Sequence, residues 1–378
     1  MDSQFLESWL EETIGFENPK LGLSRINKAL DTFSTTSISV SPPKIITIGG
    51  TNGKGGCARL LHQTLSKKYR SALFTSPHLK CITERFIGPS GSIQIDELSN
   101  LFILWKKNLD DHKLSLSYFE FLFFIFVKWI EEQSVEFLVL EVGLGGRLDS
   151  TNSFNADISV ITSIGRDHQG YLGSTYKKIL TEKLGISRVD KPLITAFTSD
   201  YLMELMKSHQ LDSNFIWSNI DVGSFHFEEV TALLVERIVK ELGISISVDR
   251  KTVVFEGNFL FYGSHNLAAV RKLVQYLNDY YYNELKGCFD MVLLSFSERD
   301  EKEIQAMIKI YKSLKTKIIL TSFEHFKSAS KEKIEELAKK NGLEFVHFED
   351  IKLSSFENKK VLVSGSNYFI GCFKRFIC

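Results

Sequence analysis

The sequence predicts an α/β protein built on two mainly parallel sheets, and three observations predict it. Strand-like runs alternate with helical patterns over most of the chain. A glycine-rich stretch joins one of these strands to the helix after it. The 378 residues exceed what one core usually supports, so two domains are expected.

Taken in order, apolar or β-branched runs occur at 44–49, 72–75, 137–142, 158–164 and 193–196, and again at 258–262, 291–296, 317–321, 344–348 and 360–364. Apolar residues at helical spacing follow the first run, from Ala58 to Leu65. The most apolar stretch, Phe119 to Ile130, is interrupted by Glu120 and Lys128 and is shorter than the ~20 residues of a membrane span, so it reads as a buried helix. Between residues 196 and 225 the chain is short and shows no clear hairpin. A helix over roughly 225–242, followed by the turn-prone Gly243, separates the two sets of strands. The boundary is therefore expected near residue 247, giving domains 1–247 and 248–378. No fixed-period repeat or low-complexity tract is present.

Lys+Arg and Asp+Glu are equal at 46 each, so no overall charge draws the chain to nucleic acid or to an anionic membrane. The five cysteines (Cys57, Cys81, Cys288, Cys372, Cys378) are scattered and include no C-x-x-C pair, which argues against a disulfide framework or zinc site and for a reducing compartment. The start shows no basic segment leading into an apolar core, and a cytoplasmic location is expected.

The stretch I-G-G-T-N-G-K-G-G-C, residues 48–57, has the context of a phosphate-binding loop: glycines to wrap an anion, amides at a helix start, and Lys54 for charge. Its spacing departs from G-x-x-x-x-G-K-[ST], with Ile48 at the first glycine position and Gly55 where a hydroxyl is usual. By itself the loop fits either nucleotide binding or a glycine-rich turn carrying a solvated lysine. Ligands in open α/β sheets sit beyond the carboxyl ends of strands. Three such ends stand out: T-S-P-H-L (75–79), E-V-G-L-G-G-R-L-D-S-T-N (141–152), and G-R-D-H-Q-G-Y-L-G (165–173), the last followed by E-K-L-G-I (182–186). Magnesium takes hard oxygen ligands, which Glu141 and Ser76 can supply, and His168 can hold a second ion. Each also has a plainer reading, as a strand-end carboxylate, a helix cap before Pro77, and a hydrogen-bonded turn residue.

Together G-T-N-G-K-G (50–55), T-S-P-H-L, E-V-G-L-G-G-R-L-D and the segment 161–186 resemble the folylpolyglutamate synthase/dihydrofolate synthase family, relatives of the Mur ligases. L-G-L-S-R-I (21–26) is similar to that family's opening helix and S-Y-F-E-F (117–121) to its pterin-side helix. G-S-H-N (263–266) resembles its D-G-A-H-N motif, and V-L-V-S-G-S-N-Y-F (361–369) its last strand and helix start.

The resemblance implies a P-loop Mur-ligase-type ATPase domain with a mainly parallel sheet, then a smaller Rossmann-like α/β domain carrying the glutamate-ligase function. It implies an ATP-dependent amide ligase that adds L-glutamate to dihydropteroate, to reduced folates, or to both, through an acyl phosphate. ATP would be held by Thr51, Asn52, Gly53, Lys54, Gly55, Gly56, Arg250 and Tyr262. One magnesium ion would sit on Ser76 and Glu141, and a second on His168 and Lys183, a lysine often carbamylated in that family. Tyr118, Phe119, Glu120, Arg147 and Asp149 would line the pterin or aminobenzoate end, and His265 and Asn266 would face the acyl phosphate and glutamate. Lys54, Lys183, His168 and His265 form the expected catalytic set. The active site would lie between the domains, whose closure would exclude water. The partners implied are small molecules alone, with neither nucleic acid nor membrane, and the expected state is a monomer.

The pattern is broken in places. Gly56 stands where the family has Ser or Thr, Tyr262 replaces the aspartate of D-G-A-H-N, and His226-Phe227-Glu228-Glu229-Val230 replaces an H-Q-x-x-N helix start whose asparagine reads adenine. Weak or loose nucleotide selection in an active enzyme is the expectation. The alternatives are a non-catalytic relative that binds folate or nucleotide, and a Mur-type ligase with another acceptor.

Overall fold

The structure is a computed structural model that describes residues 3–33, 42–222, 227–249, 256–281 and 289–377. The chain divides into two compact units, one of Met1–Phe225 with Glu229–Arg250 and the other of His226–Glu228 with Lys251–Cys378.

In the first unit, helices α1 (Ser3–Thr13) and α2 (Ser24–Thr32) precede β1 (Lys44–Gly49), α3 (Lys54–Leu65) and β2 (Ser71–Phe74). A short hairpin, β3 (Phe86–Gly88) and β4 (Gly91–Ser92), leads into α4 (Ile95–Asp111), α5 (Tyr118–Ile130) and β5 (Phe137–Glu141). Then come β6 (Ile158–Ile161), α6 (Gln169–Leu172), α7 (Tyr176–Leu184), β7 (Pro192–Thr195), α8 (Asp200–Ser213), β8 (Ile216–Asn219) and α9 (Phe227–Glu241). The eight strands lie in the order β4-β3-β2-β5-β1-β6-β7-β8. All pair in parallel except the hairpin strands at one edge.

The period-two alternation of β side chains explains why these runs are apolar throughout. Leu138 and Leu140 of β5 face one core with Ala72 and Phe74 of β2, against α4 and α5. Phe137 and Val139 face the opposite core with Ile46 and Ile48 of β1, against α3 and α9. Both faces are covered, so neither can be polar. Helix α5 starts where the Glu120 carboxylate accepts the Ser117 N–H at 2.7 Å, satisfying a donor that the helix leaves open. Its Phe123 is fully buried, with its ring 5.3 Å from Phe74 and 5.9 Å from Phe154.

The second unit has an all-parallel five-stranded sheet in the order β12-β11-β10-β13-β9, made of β9 (Phe259–Tyr262), β10 (Met291–Leu294), β11 (Lys317–Thr321), β12 (Glu344–Val346) and β13 (Val361–Ser364). Its core gathers Val292, Leu294, Leu320 and Leu362 from the sheet with Val270, Met307 and Ile334 from helices.

Each apolar run of the sequence becomes a strand, with ends shifted by a few residues. The run 158–164 leaves the sheet at Ile161 because the Thr162 and Ser163 hydroxyls turn to the neighbouring loop and donate to the Asn52 carbonyl at 2.7 and 3.0 Å. The stretch after residue 196 holds more than the sequence suggests, a helix and an eighth strand. That strand is an edge whose Ile216 is 58% exposed, so it lacks the apolar signature of its neighbours. No helix begins at Ser76, so its reading as a helix cap is not met. Among the described residues no helix is long and apolar enough to cross a membrane.

Phe123→Ala should lower unfolding stability by about 3–5 kcal/mol, the usual loss on emptying a packed aromatic site. Urea denaturation checks it, and a loss under ~1 kcal/mol would show that this core is not close-packed.

Candidate active site

Register brings the site together. Glu141 pairs with Ile48, Leu140 with Phe74 and Thr47, and Gly49 with Ile161. The carboxyl ends of β2, β5, β1 and β6 therefore lie side by side, about 4.8 Å apart, and the loops that leave them meet.

The loop after β1 is braced on both sides. Gly50 has φ +142°, and a Cβ there would lie 2.0 Å from Thr162 Oγ1. Only glycine lets the backbone pass so close. The Thr51 N–H donates to Ser163 O at 2.8 Å, the Asn52 N–H to Ser163 Oγ at 2.9 Å, and Thr51 Oγ1 accepts the Gly165 N–H at 2.9 Å. Gly53, at φ +88°, caps α3, and Lys54 is that helix's first residue. The sequence pattern places the helix start later, at Ala58, because Gly55 and Gly56 are poor helix formers. Lys54 Nζ donates to Thr51 O at 3.3 Å.

On one side of this loop stands Glu141, 3% exposed. It accepts the Thr75 hydroxyl and the Ser76 N–H, the latter at 3.1 Å. Burial pushes its carboxyl above the usual range, against the pull of Lys54, Thr75, Ser76 and Arg59. A Cβ on Gly55 would come within 3.3 Å of both carboxylate oxygens, so the helix start packs directly on this group.

On the other side stands Lys183, also 3% exposed, whose ammonium donates to Gly50 O at 2.8 Å. Burial, aided by the Lys54 charge, lowers it from 10.5 to about 7, although Asp167 and Asp149 oppose the shift. A small cleft is lined by Gly50, Thr51, Lys54, Gly143, Leu144, Gly145, Asp167, His168, Leu172 and Lys183. His168, at φ +51°, sits at the start of α6.

The remaining sequence candidates are placed as follows. Asn52 and Gly53 lie in the loop, and Gly56 lies in the first turn of α3 with nothing within 4 Å of where its Cβ would be. Asp149 is buried and accepts Leu144 N–H at 2.9 Å and the Thr151 hydroxyl at 2.6 Å, which ties the 143–151 loop into shape. Arg147 is exposed and paired to Glu182 at 2.9 Å. Phe119 closes over Gly143, where a Cβ would meet its Cζ at 2.6 Å. Tyr118 is buried under Arg85, and Glu120 is buried against Arg25, 2.9 Å from Nη2.

In the second unit, Tyr262 ends β9 and donates its hydroxyl to Glu228. His265 donates Nδ1–H to Gly263 O at 2.8 Å, and Asn266 caps the helix Leu267–Tyr276 by accepting Ala269 N–H at 3.0 Å. Arg250 and His226 lie outside the described residues. Sequence reasoning passed over Thr75, whose hydroxyl reaches Glu141, and Asp167, which lines the cleft. Both lay inside strings already singled out, beside the residues chosen; two adjacent hydroxyls after a strand were the available signal for Thr75.

Between about pH 7 and 10.5 the unfolded chain carries a proton on Lys183 that the folded chain lacks, so this group's contribution to stability rises with pH through that window. The slope is at most ~1.4 kcal/mol per pH unit. Lys183→Met should therefore stabilise the protein most at or below about pH 7, with the gain shrinking towards pH 9. Urea titrations at several pH values check this, and a pH-independent difference would contradict it.

No family model matches the chain. It is 35% identical over 189 residues to the dihydrofolate synthase/folylpolyglutamate synthase of Buchnera aphidicola subsp. Schizaphis graminum, a match covering 48% of this chain and 45% of that protein. The matched part thus spans less than half of that relative. Solved structures match throughout: E. coli FolC in complex with DHPP and ADP has TM-score 0.80 at 22% identity, over 100% of this chain and 98% of that one. A bifunctional folylpolyglutamate synthase/dihydrofolate synthase with Mn, AMPPNP and L-glutamate bound has TM-score 0.80 at 22% identity, with the same coverage. The chain is therefore similar over about half its length to a dihydrofolate synthase/folylpolyglutamate synthase, and over essentially all of it has the fold of the FolC structure.

Proposed function

We propose that the chain is an ATP-dependent amide ligase that joins L-glutamate to dihydropteroate, to reduced folates, or to both. The observation that carries this reading is the convergence of Glu141 and Lys183 on opposite sides of the Gly50–Lys54 loop. The ligands of the two structural relatives, ADP with DHPP and AMPPNP with L-glutamate, are those such a reaction uses. Residues 1–247 would carry the ATPase function and 248–378 the glutamate-ligase function.

In the reaction, a carboxylate oxygen of the acceptor attacks the γ-phosphorus of ATP, and ADP departs with the bonding electrons. The glutamate amine then attacks the carbonyl carbon of the acyl phosphate, a proton leaves the nitrogen, and inorganic phosphate departs. The protein's work is alignment and charge neutralisation. Lys54 and the first amides of α3 would hold the β- and γ-phosphates. Phe119, Tyr118, Glu120, Arg147 and Asp149 would serve the acceptor, and Tyr262, His265, Asn266 and Arg250 the nucleotide and glutamate.

The donors beside the loop fit a hard divalent cation. A buried carboxylate on Glu141, raised by lack of solvation, adjoins the Thr75 hydroxyl and is held by the Ser76 N–H, and the Ser76 hydroxyl belongs to the same loop. Among the described residues no three His, Cys, Asp or Glu side chains gather as a metal cage, so the ion would keep waters and phosphate oxygens, as magnesium does. Such an ion would offset the negative charge of the phosphates. Lys183 and His168 would serve a second site. A lysine lowered to about 7 is about half neutral near pH 7, and the lone pair of the neutral amine can bond to carbon dioxide. The N–C bond would form, one N–H proton would pass to solvent, and the amine would become an anionic carbamate with oxygens able to ligate.

Purified protein given ATP, magnesium and L-glutamate should release phosphate only when dihydropteroate or tetrahydrofolate is added. No release with either would overturn the ligase reading in favour of a binding-only relative. Lys183→Ala should lower turnover at least about 100-fold, with partial recovery in excess acetate or bicarbonate; an unaffected rate would remove Lys183 from the site.

A further inference from the structure

The segment Thr75–Cys81 carries Thr75 and Ser76 to Glu141, yet it belongs to no helix or strand that would hold it there. Two adjacent side chains downstream grip it along its length. The Glu84 carboxylate accepts three successive backbone N–H groups, of Leu79 at 2.9 Å, Lys80 at 2.7 Å and Cys81 at 3.1 Å. Arg85 takes the other end: its carbonyl accepts Thr75 N–H at 3.2 Å, and its Nε donates to His78 Nδ1 at 2.9 Å.

Arg85 is itself fully buried, the largest side chain in the protein with essentially no exposure. A guanidinium cannot shed its charge, so in such a place it needs an anion. Glu17 supplies one, with Nη1 and Nη2 donating to its two oxygens at 2.9 and 3.0 Å. Because Nδ1 of His78 accepts from Arg85, the ring proton lies on Nε2, and that nitrogen is 3.5 Å from Glu7 of α1. The loop is thus tied, through one buried cation, to the chain segment around α1, far from the cleft in sequence.

We propose that Glu84 and Arg85 are positioning residues for the Thr75–Ser76–Glu141 group, and that Glu17 acts on the same group through Arg85. The inference rests on the ligase reading only in assigning a divalent cation to those oxygens. Without the grip, the Thr75 and Ser76 contacts to Glu141 would have to be ordered at the moment an ion binds, and affinity for the ion would fall. Partners that orient metal ligands from outside commonly change affinity or activity about 10–100-fold.

The test uses the full-length protein with Glu17→Gln, Glu84→Gln and Arg85→Lys variants, Glu17 being a partly exposed site whose variant should survive if Arg85→Lys does not fold. Two measurements are made: amide hydrogen exchange at residues 75–81, and the magnesium concentration that half-saturates binding of a non-hydrolysable ATP analogue. We expect exchange to quicken relative to β1 and β5 amides, at Leu79, Lys80 and Cys81 in Glu84→Gln and at Thr75 and His78 in Glu17→Gln and Arg85→Lys, and half-saturating magnesium to rise about 10-fold, least in the charge-keeping Arg85→Lys. Exchange that rises uniformly, or a magnesium requirement within twofold of the unsubstituted protein in a folded variant, would overturn the proposal. Magnesium-independent behaviour of the unsubstituted protein would instead defeat the parent reading, and this assignment with it.

Discussion

A carboxylate with almost no access to water sits at the end of a central strand, and the loops around it follow from that constraint. Placing Glu141 there is unfavourable unless its charge is answered, and the answers are local: a hydroxyl from Thr75, an amide from Ser76, and the nearby charge of Lys54. The first two come from the end of β2 and the third from the start of α3. The order β2-β5-β1 is what makes them neighbours, so the sheet topology and the electrostatics of the cleft are one requirement seen at two scales. Lys183 is the mirror case, a buried cation beside the same loop that burial drives towards neutrality. The two groups lie on either side of the loop with separate partners: Glu141 rests on Thr75 and Ser76, Lys183 on Gly50.

Three glycines of the first unit mark where chain segments must nearly touch. At Gly50 the obstruction is Thr162, at Gly146 the carbonyls of Glu182 and Lys183, and at Gly185 the backbone of Arg147. These contacts lock the loop after β5 against the C-terminal end of α7, where Lys183 lies. Gly146 and Gly185 therefore help to set the position of Lys183 beside the Gly50–Lys54 loop.

Much of this was legible in the sequence, for a physical reason. Strands buried on both faces have to be apolar throughout, so β1, β5, β6, β10 and β13 announced themselves, and the residues that follow them were found by position alone. What stayed hidden is what depends on partners distant in the chain. The edge strand β8 is half solvated and carries no pattern. Thr75 and Ser76 are indistinguishable as letters; the fold aims the first one's hydroxyl and the second one's amide at Glu141. Nothing in the sequence pairs Arg85 with Glu17, 68 residues away. Asp149 is expected by resemblance to line the acceptor end, and what the sequence does not show is that its oxygens accept from Leu144 and Thr151 and so shape a loop.

Gly56 has a different meaning in three dimensions. It lies inside the first turn of α3, a position where glycine is a poor helix former, yet no atom comes within 4 Å of a side chain there. Unlike Gly50 or Gly185, it is not imposed by crowding. Gly56 is exposed, and the first turn of α3 leaves open space there, where the Cβ of a serine or threonine would meet no neighbour. For anyone redesigning this protein, position 56 is a place where a new hydroxyl can be installed beside the Gly50–Lys54 loop on a finished scaffold.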